Sequence, residues 1–276
     1  MASPAPVVKW VGGKRQLLSV LKEKITVPFN TYYEPFFGGG ALFFALAPEK
    51  AVINDINSEL INLYRQLKRA PQALIKELKL IQEHYNSLKT DALRTDYYLQ
   101  QRARFNELIK DREHSREAAV LFIFLNKASY NGLYRVNQQG LFNAPSGHKE
   151  QVHCYNEDNL IEVSKLLKHC KICNQDFASV CKNAEKGDFI FFDSPYFDTF
   201  TSYQSQGFTL EDHQRLASLF KKLTEKGVFC LLTNSNTEYI RELYSDYTIS
   251  TVNVKRYINC DASGRADCKE IIIQNF

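Results

Sequence analysis

The sequence predicts an α/β protein in which a doubly wound sheet is interrupted by a mainly helical insertion. Three observations carry that reading. TYYEPF (31–36) has strand character, FGGG (37–40) turns the chain, and ALFFALA (41–47) has helix character. AVIN (51–54) then reads as a second strand, and a second helix starts near Asn57, which completes a strand–helix–strand–helix unit. Residues 71–129 carry Leu, Ile, Tyr and Phe at spacings of three and four with no convincing strand, the pattern of packed helices.

The remaining elements follow in order. Residues 130–156 are rich in Asn, Gly and Gln and are expected to be irregular. Strand patterns return at KICN (171–174), DFIFFD (188–193) and VFCLLTNS (228–235). Between the last two, residues 210–226 form a helix stopped by Gly227. TISTVNVKRYI (248–258) and KEIIIQNF (269–276) close the sheet as an antiparallel pair. The sheet domain is assigned to residues 1–62 and 154–276, the insertion to residues 63–153, and no internal repeat is present.

Composition narrows the class. With 276 residues, 44% of them hydrophobic, the chain can bury a sizeable core. No 18-residue apolar run is present, so no membrane span is expected, and the N-terminal stretch lacks the apolar centre of a signal peptide. Seven scattered cysteines, an odd number, fit a reduced, cytoplasmic protein. The net charge of +4 conceals an asymmetry: residues 61–149 hold 15 Lys/Arg and 8 Asp/Glu, a balance of +7, whereas the rest hold 20 and 23. Residues 118–149 contain no acid at all. A polyanion partner for the basic middle is expected, with a solvated helical surface as the alternative.

Chemistry-bearing residues cluster at strand ends. Gly38, Gly39 and Gly40 follow a strand and precede a helix, which lets a ligand approach the backbone closely. Asp55 ends the next strand, where an acid can accept hydrogen bonds from ribose hydroxyls or cap the following helix. GDFIFFDSPY (187–196) is an apolar strand that ends in an acid, a small polar residue, a proline and a tyrosine. A carboxylate beside a ring suits a planar, amino-bearing substrate such as a base flipped out of DNA; a structural turn is the plain alternative.

Other motifs fail. WVGGKRQLL (10–18) resembles a phosphate loop, but Val8 and Arg15 stand where glycine and Ser/Thr are required. Cys170-x-x-Cys173 lacks a second close pair, since Cys260 and Cys268 are distant and seven residues apart, so no metal site is expected. Neither HExxH nor G-x-S-x-G occurs.

Six segments together resemble one family. KWVGGKRQLL (9–18), YYEPFFGGGALFF (32–44), VINDINSELINLY (52–64), YNGLYRVN (130–137), NQDF (174–177) and FFDSPY (191–196) are similar, in order, to the signatures of DNA adenine-N6 methyltransferases of the GATC-modifying (Dam) type. The similarity runs from residue 9 to about residue 203. It implies a Rossmann-like sheet with an inserted target-recognition domain, S-adenosyl-L-methionine as cofactor and double-stranded DNA as substrate. It also implies methylation of adenine N6, with GATC the expected site, and no obligatory protein partner. By the same resemblance Trp10 and Lys14 line the amino-acid and methyl-donor end of the cofactor. Phe37, Gly38, Gly39 and Gly40 pass beneath it, Asp55 holds its ribose, and Asp176 and Phe177 hold its adenine. Asp193, Ser194, Pro195 and Tyr196 form the catalytic corner, with Asp193 also at the cofactor. Tyr130, Asn131, Leu133, Arg135 and Asn137 fall where the family inserts a hairpin into DNA. In that pattern the tyrosine and leucine wedge between bases and the arginine reads guanine. The family usually carries proline where Ser194 stands. A non-catalytic DNA-binding relative and a cytosine-N4 methyltransferase are the alternatives such a corner allows.

Overall fold

The structure is a computed structural model describing residues 4–197, 207–254 and 268–276. Residues 198–206 and 255–258, which the sequence reading also used, and Cys260 lie outside the described residues. A 3-10 turn (Lys14–Leu17) leads into α1 (Leu18–Lys24), and β1 (Tyr32–Glu34), α2 (Ala41–Leu46), β2 (Ala51–Asn54) and α3 (Ser58–Arg69) follow. The helical group is α4 (Pro71–Ser87), α5 (Asp91–Lys110) and α6 (Arg116–Ala128), after which α7 (Glu157–Leu167) returns the chain to β3 (Cys170–Cys173). Then come α8 (Phe177–Cys181), β4 (Phe189–Phe192), α9 (Leu210–Glu225), β5 (Phe229–Ser235), α10 (Glu238–Leu243), β6 (Thr248–Val254) and β7 (Cys268–Gln274).

The strands form one sheet in the order β3-β2-β1-β4-β5-β7-β6. The pairs from β3 to β5 are parallel, and β7 runs antiparallel to both β5 and β6. All four residues of β4 are buried, because a parallel strand covered on both faces has no solvent side to alternate with. From β1 the chain winds one way to β2 and β3; from β4 it winds the other way to β5. The winding therefore reverses between β1 and β4, and a crevice opens beyond their carboxyl ends.

Local signals fix the element ends. The Asn57 side chain accepts from Leu60 N at 2.8 Å and starts α3. Thr209 and Asp212 cap each other at the start of α9, and Gly227, at φ +80°, stops it. The helical run expected over 71–129 divides into three helices, with Thr90 and Ser115 as the N-caps that restart it. Residues 130–156 hold only a 3-10 turn (Tyr130–Gly132) and two isolated bridges. Tyr98, Phe105 and Phe124 of the helical group share one continuous core with Tyr32, Phe43 and Tyr64. Burial pushes the thiols of Cys154 and Cys170 up to about 12 and raises that of Cys173, so these cysteines stay protonated.

Candidate active site

The glycine turn sits at the reversal point. Phe37 N donates to Asn54 O at 2.8 Å, and Gly40 N donates to Phe37 O at 2.7 Å. Gly38 (φ +48°) and Gly40 (φ +65°) take the left-handed backbone that a side chain would strain. A Cβ on Gly38 would lie 2.7 Å from Trp10 Cδ1, and one on Gly40 would lie 2.4 Å from Phe37 Cζ. Asp55 pins the turn: its Oδ2 accepts from Gly38 N at 2.8 Å and its Oδ1 from Asn57 N at 2.9 Å. It is not the helix cap, which is Asn57. Burial raises the Asp55 carboxyl, and the backbone N–H groups of Asn57, Gly38 and Ile56 oppose that rise. Asn54, buried, ties two strand ends together by donating to Pro35 O and Gln175 O and accepting from Gln175 N. Sequence reasoning missed it.

The end of β4 forms a compact polar corner. Lys14, only 7% exposed, reaches across to Asp193, with Nζ 2.7 Å from Oδ1. The same Oδ1 accepts from Thr233 Oγ1 of β5 at 2.8 Å. Asp193 Oδ2 takes no bond among the described residues, so the carboxylate is held by one oxygen and open at the other. Lys14 Nζ also lies 4.8 Å from the centre of the Tyr196 ring. The Tyr196 hydroxyl donates to Glu270 Oε2 of β7 at 2.7 Å. Burial, followed by the Asp193 and Glu270 carboxylates, pushes this phenol well above its ordinary value, so it remains a donor. Lys14, far away in sequence, thus meets Asp193 and Tyr196. Thr233 and Glu270, which complete the corner, were not read from the sequence.

A second buried acid lies alongside. Glu34, at the end of β1 and 2% exposed, accepts from Tyr32 Oη at 2.8 Å. Burial raises its carboxyl well above the ordinary value; the bonds from the Tyr32 hydroxyl and the Phe43 N–H oppose this, and Asp193 and Asp55 reinforce it. With the folded value above the unfolded one, the folded chain keeps this proton to higher pH. Stability is therefore present below about 4.5 and lost as pH rises through the folded value. Glu34→Gln keeps an acceptor for Tyr32 and removes the titration. In thermal unfolding, the variant should gain on the wild type as pH rises above about 4.5. A gap constant with pH would show that Glu34 does not titrate in that window.

Ser194 is buried, and its hydroxyl is in use. Asn234 Nδ2 of β5 donates to Ser194 Oγ at 3.3 Å, while Asn234 Oδ1 accepts from Phe197 N at 3.0 Å and from Ser235 N at 2.8 Å. Where the family usually carries proline, Ser194 thus brings a hydroxyl that satisfies a buried amide. Ser194→Pro preserves the carbonyl but removes the acceptor. A loss of about 1–3 kcal/mol of stability is expected from the unpaired amide. The single-turnover rate of the reaction at this corner should change less than about tenfold, since the Ser194 carbonyl is kept. A rapid-quench time course beside a melting curve checks both, and a rate gain without loss of stability would contradict the argument.

At the end of β3, Asp176 caps α8 by accepting from Ala178 N at 3.0 Å, and its Oδ2 lies 3.0 Å from Arg215 Nη2. Phe177 is buried against Phe36 and Phe208, with the Arg215 guanidinium 4.9 Å from its ring centre. The hairpin region lies beyond the N-terminal segment. Tyr130 is 60% exposed, which leaves its ring able to enter a partner. Lys9 Nζ donates to Asn131 O at 2.7 Å, and Leu133 is half-buried. Asn137 Oδ1 is committed to the hairpin turn, where it accepts from Gln139 N and Leu141 N. Trp10 lies between the two regions, stacked on Tyr134 at 5.5 Å and against Gly38. Among the described residues no metal-binding cluster occurs, and no helix is long and apolar enough to cross a membrane.

A sheet of this topology with a glycine cradle and a strand-end acid defines a Rossmann-like methyltransferase. Comparison with known proteins sharpens the class: this chain belongs to the D12 class N6 adenine-specific DNA methyltransferases, whose family model matches residues 10–258. It is 40% identical over 278 residues to the Type II methyltransferase M1.LlaDCHI of Lactococcus lactis subsp. cremoris, a match covering 98% of this chain and 95% of that protein. The Type II methyltransferase M.MjaIII of Methanocaldococcus jannaschii is 38% identical, with 98% and 99% covered. The DNA adenine methylase of Haemophilus influenzae is 32% identical, with 97% and 92% covered. The protein is an adenine-specific DNA methyltransferase, and its family uses S-adenosylmethionine as methyl donor. The cradle suits that group: side chains are absent at the three glycines, and the acids Glu34, Asp55 and Asp193 end adjacent strands beside it.

Proposed function

We propose that this enzyme methylates adenine N6 within GATC in double-stranded DNA, with the target base flipped into the corner at Asp193. The open Oδ2 of Asp193 carries the proposal. An adenine amine is a weak nucleophile because its lone pair is delocalised into the ring. The open carboxylate oxygen accepts one N–H, and the Ser194 carbonyl accepts the other. Both bonds favour the pyramidal, nucleophilic form. Lys14 and Thr233 hold Oδ1, which stops the carboxylate from rotating away. The Tyr196 ring, fixed at its hydroxyl by Glu270, supplies the stacking face. When bound, S-adenosylmethionine supplies an electrophilic methyl group. The amine nitrogen takes that methyl group as the methyl–sulfur bond breaks, the electron pair of that bond stays on sulfur in the departing thioether, and the surplus amine proton passes to solvent. Trp10, Lys14, Phe37, Gly38, Gly39, Gly40, Asp55, Asp176 and Phe177 are assigned to the cofactor. Tyr130, Asn131, Leu133, Arg135 and Asn137 are assigned to DNA, with Arg135 reading a guanine. The acid-free segment 118–149 supports that interface.

Incubation with labelled cofactor and a GATC duplex, followed by nucleoside analysis, tests the reading. N6-methyladenine is expected, with transfer falling on duplexes changed at any one of the four pairs. Equal transfer to all of these duplexes would overturn GATC specificity. Arg135→Ala should relax one pair only, because a bidentate arginine–guanine contact carries about 1–3 kcal/mol of discrimination.

A further inference from the structure

Arg135 is not a loose side chain. Its Nε donates to Asn143 Oδ1 at 2.8 Å and its Nη2 donates to Asn143 O at 2.9 Å. The two residues face each other across the hairpin: Asn143 N donates to Arg135 O at 2.9 Å, and Val136 is bridged to Phe142. Asn143 is itself rigidly mounted. Its neighbours Phe142 and Ala144 are each 2% exposed. Asn106 of α5 grips Phe142 at both main-chain atoms, accepting from its N–H and donating to its carbonyl. Tyr98 and Arg102 of α5 both donate to Ala144 O. A helix of the core thus holds the residue that holds the arginine.

A guanidinium is planar, with two forks of parallel N–H donors. The fork made by Nε and Nη2 is taken by Asn143. The other fork, Nη1 with the second N–H of Nη2, points away from Asn143. That pair has the spacing that matches guanine O6 and N7. We propose that Asn143 is a positioning residue for base recognition: it occupies one edge of the Arg135 guanidinium so that the opposite edge meets guanine at a set angle. This rests on Arg135 as the guanine reader.

The test compares kcat/KM on the cognate duplex and on each singly substituted duplex. Asn143→Ala should lower discrimination about fivefold at the pair that Arg135→Ala relaxes, the scale of one lost hydrogen bond, and leave the other pairs unchanged. The double variant should discriminate no worse than Arg135→Ala alone. Asn143→Asp, which keeps an oxygen for Nε, should retain the wild-type profile. Asn143→Ser, polar but too short to reach Nε, repeats the test should the alanine variant not fold. Four results would overturn the proposal: a uniform loss on all duplexes, an unchanged profile for Asn143→Ala while Arg135→Ala relaxes its pair, additive effects in the double variant, or lost discrimination in Asn143→Asp. An unchanged profile for Arg135→Ala itself would instead sink the underlying reading, and this proposal with it.

Discussion

Asp193→Ala should lower the single-turnover rate of methyl transfer by about 10²–10³, the scale of losing one preorganised group at the reacting atom. The target amine would lose its acceptor at Oδ2 while the stacking face of Tyr196 stays. Duplex affinity should hold, because the proposed hairpin contacts are separate from the corner. The substitution also strips Lys14, 7% exposed, of its carboxylate partner at 2.7 Å and leaves it the Gly12 carbonyl. Removing one member of a buried pair can cost about 3–5 kcal/mol, so stability must be measured alongside the rate. Asp193→Asn separates the two effects. Its oxygen can still accept from Lys14 and Thr233, but an amide nitrogen then faces the substrate amine, donor against donor. Asn should therefore restore the melting temperature and not the rate. Near-normal rapid-quench kinetics for either variant would remove Asp193 from the mechanism.

Gly40→Ala should damage the fold and, with it, the proposed cofactor site. Two costs add at this position. Backbone at φ +65° strains a residue with a side chain by about 1–3 kcal/mol. The new methyl would also lie 2.4 Å from Phe37 Cζ, and Phe37 cannot yield, being 2% exposed and packed against Phe43, Phe44 and Tyr64. Overpacking of that kind adds about 1–3 kcal/mol. The melting temperature should fall by about 5–15 °C. Binding of S-adenosylmethionine, read by calorimetry, should weaken with it as the turn shifts. Gly39→Ala is the internal control: its Cβ would meet Trp10 Cβ at 3.4 Å, ordinary contact, with no positive φ to strain. Stability of the Gly39 variant should stay within about 0.5 kcal/mol of the wild type. If both glycines tolerate alanine equally, the cradle is not the constrained turn described.

Much of the sheet was legible because its signals are local. Apolar runs of three to five residues marked β2, β4 and β5, with Asp188 and Asp193 bounding the second and Gly227 opening the third. Asn57 marked the start of α3, and Gly227 the end of α9. The open α/β class followed, as did the placement of Gly38, Gly39, Gly40, Asp55 and Asp193 at strand ends. The partners that finish the site were not legible, because they arrive through strand pairing between distant segments. Thr233 faces Ile272, and Ser235 faces Glu270, only once β5 and β7 are in register. In sequence, Glu270 is an acid in an apolar strand, like many that face solvent. Glu34 sat unremarked inside TYYEPF for the same reason. Asn234 and Asn143 look like ordinary polar residues until Ser194 and Arg135 are brought to them. The break points at Thr90 and Ser115 were missed because periodicity continues across a helix end and only the capping bonds reveal it.

Trp10 is the single tryptophan of the chain, and its indole rests between the turn at Gly38 and the ring of Tyr134, one residue before Arg135. That arrangement makes the protein a native optical reporter. Emission excited selectively from tryptophan comes from this one ring, so no substitution or dye is needed to make the signal site-specific. Under the proposed assignments, cofactor at the glycine turn and DNA at the hairpin would act on opposite sides of one fluorophore. The order in which the two substrates bind is thereby open to stopped-flow spectroscopy on the unmodified enzyme.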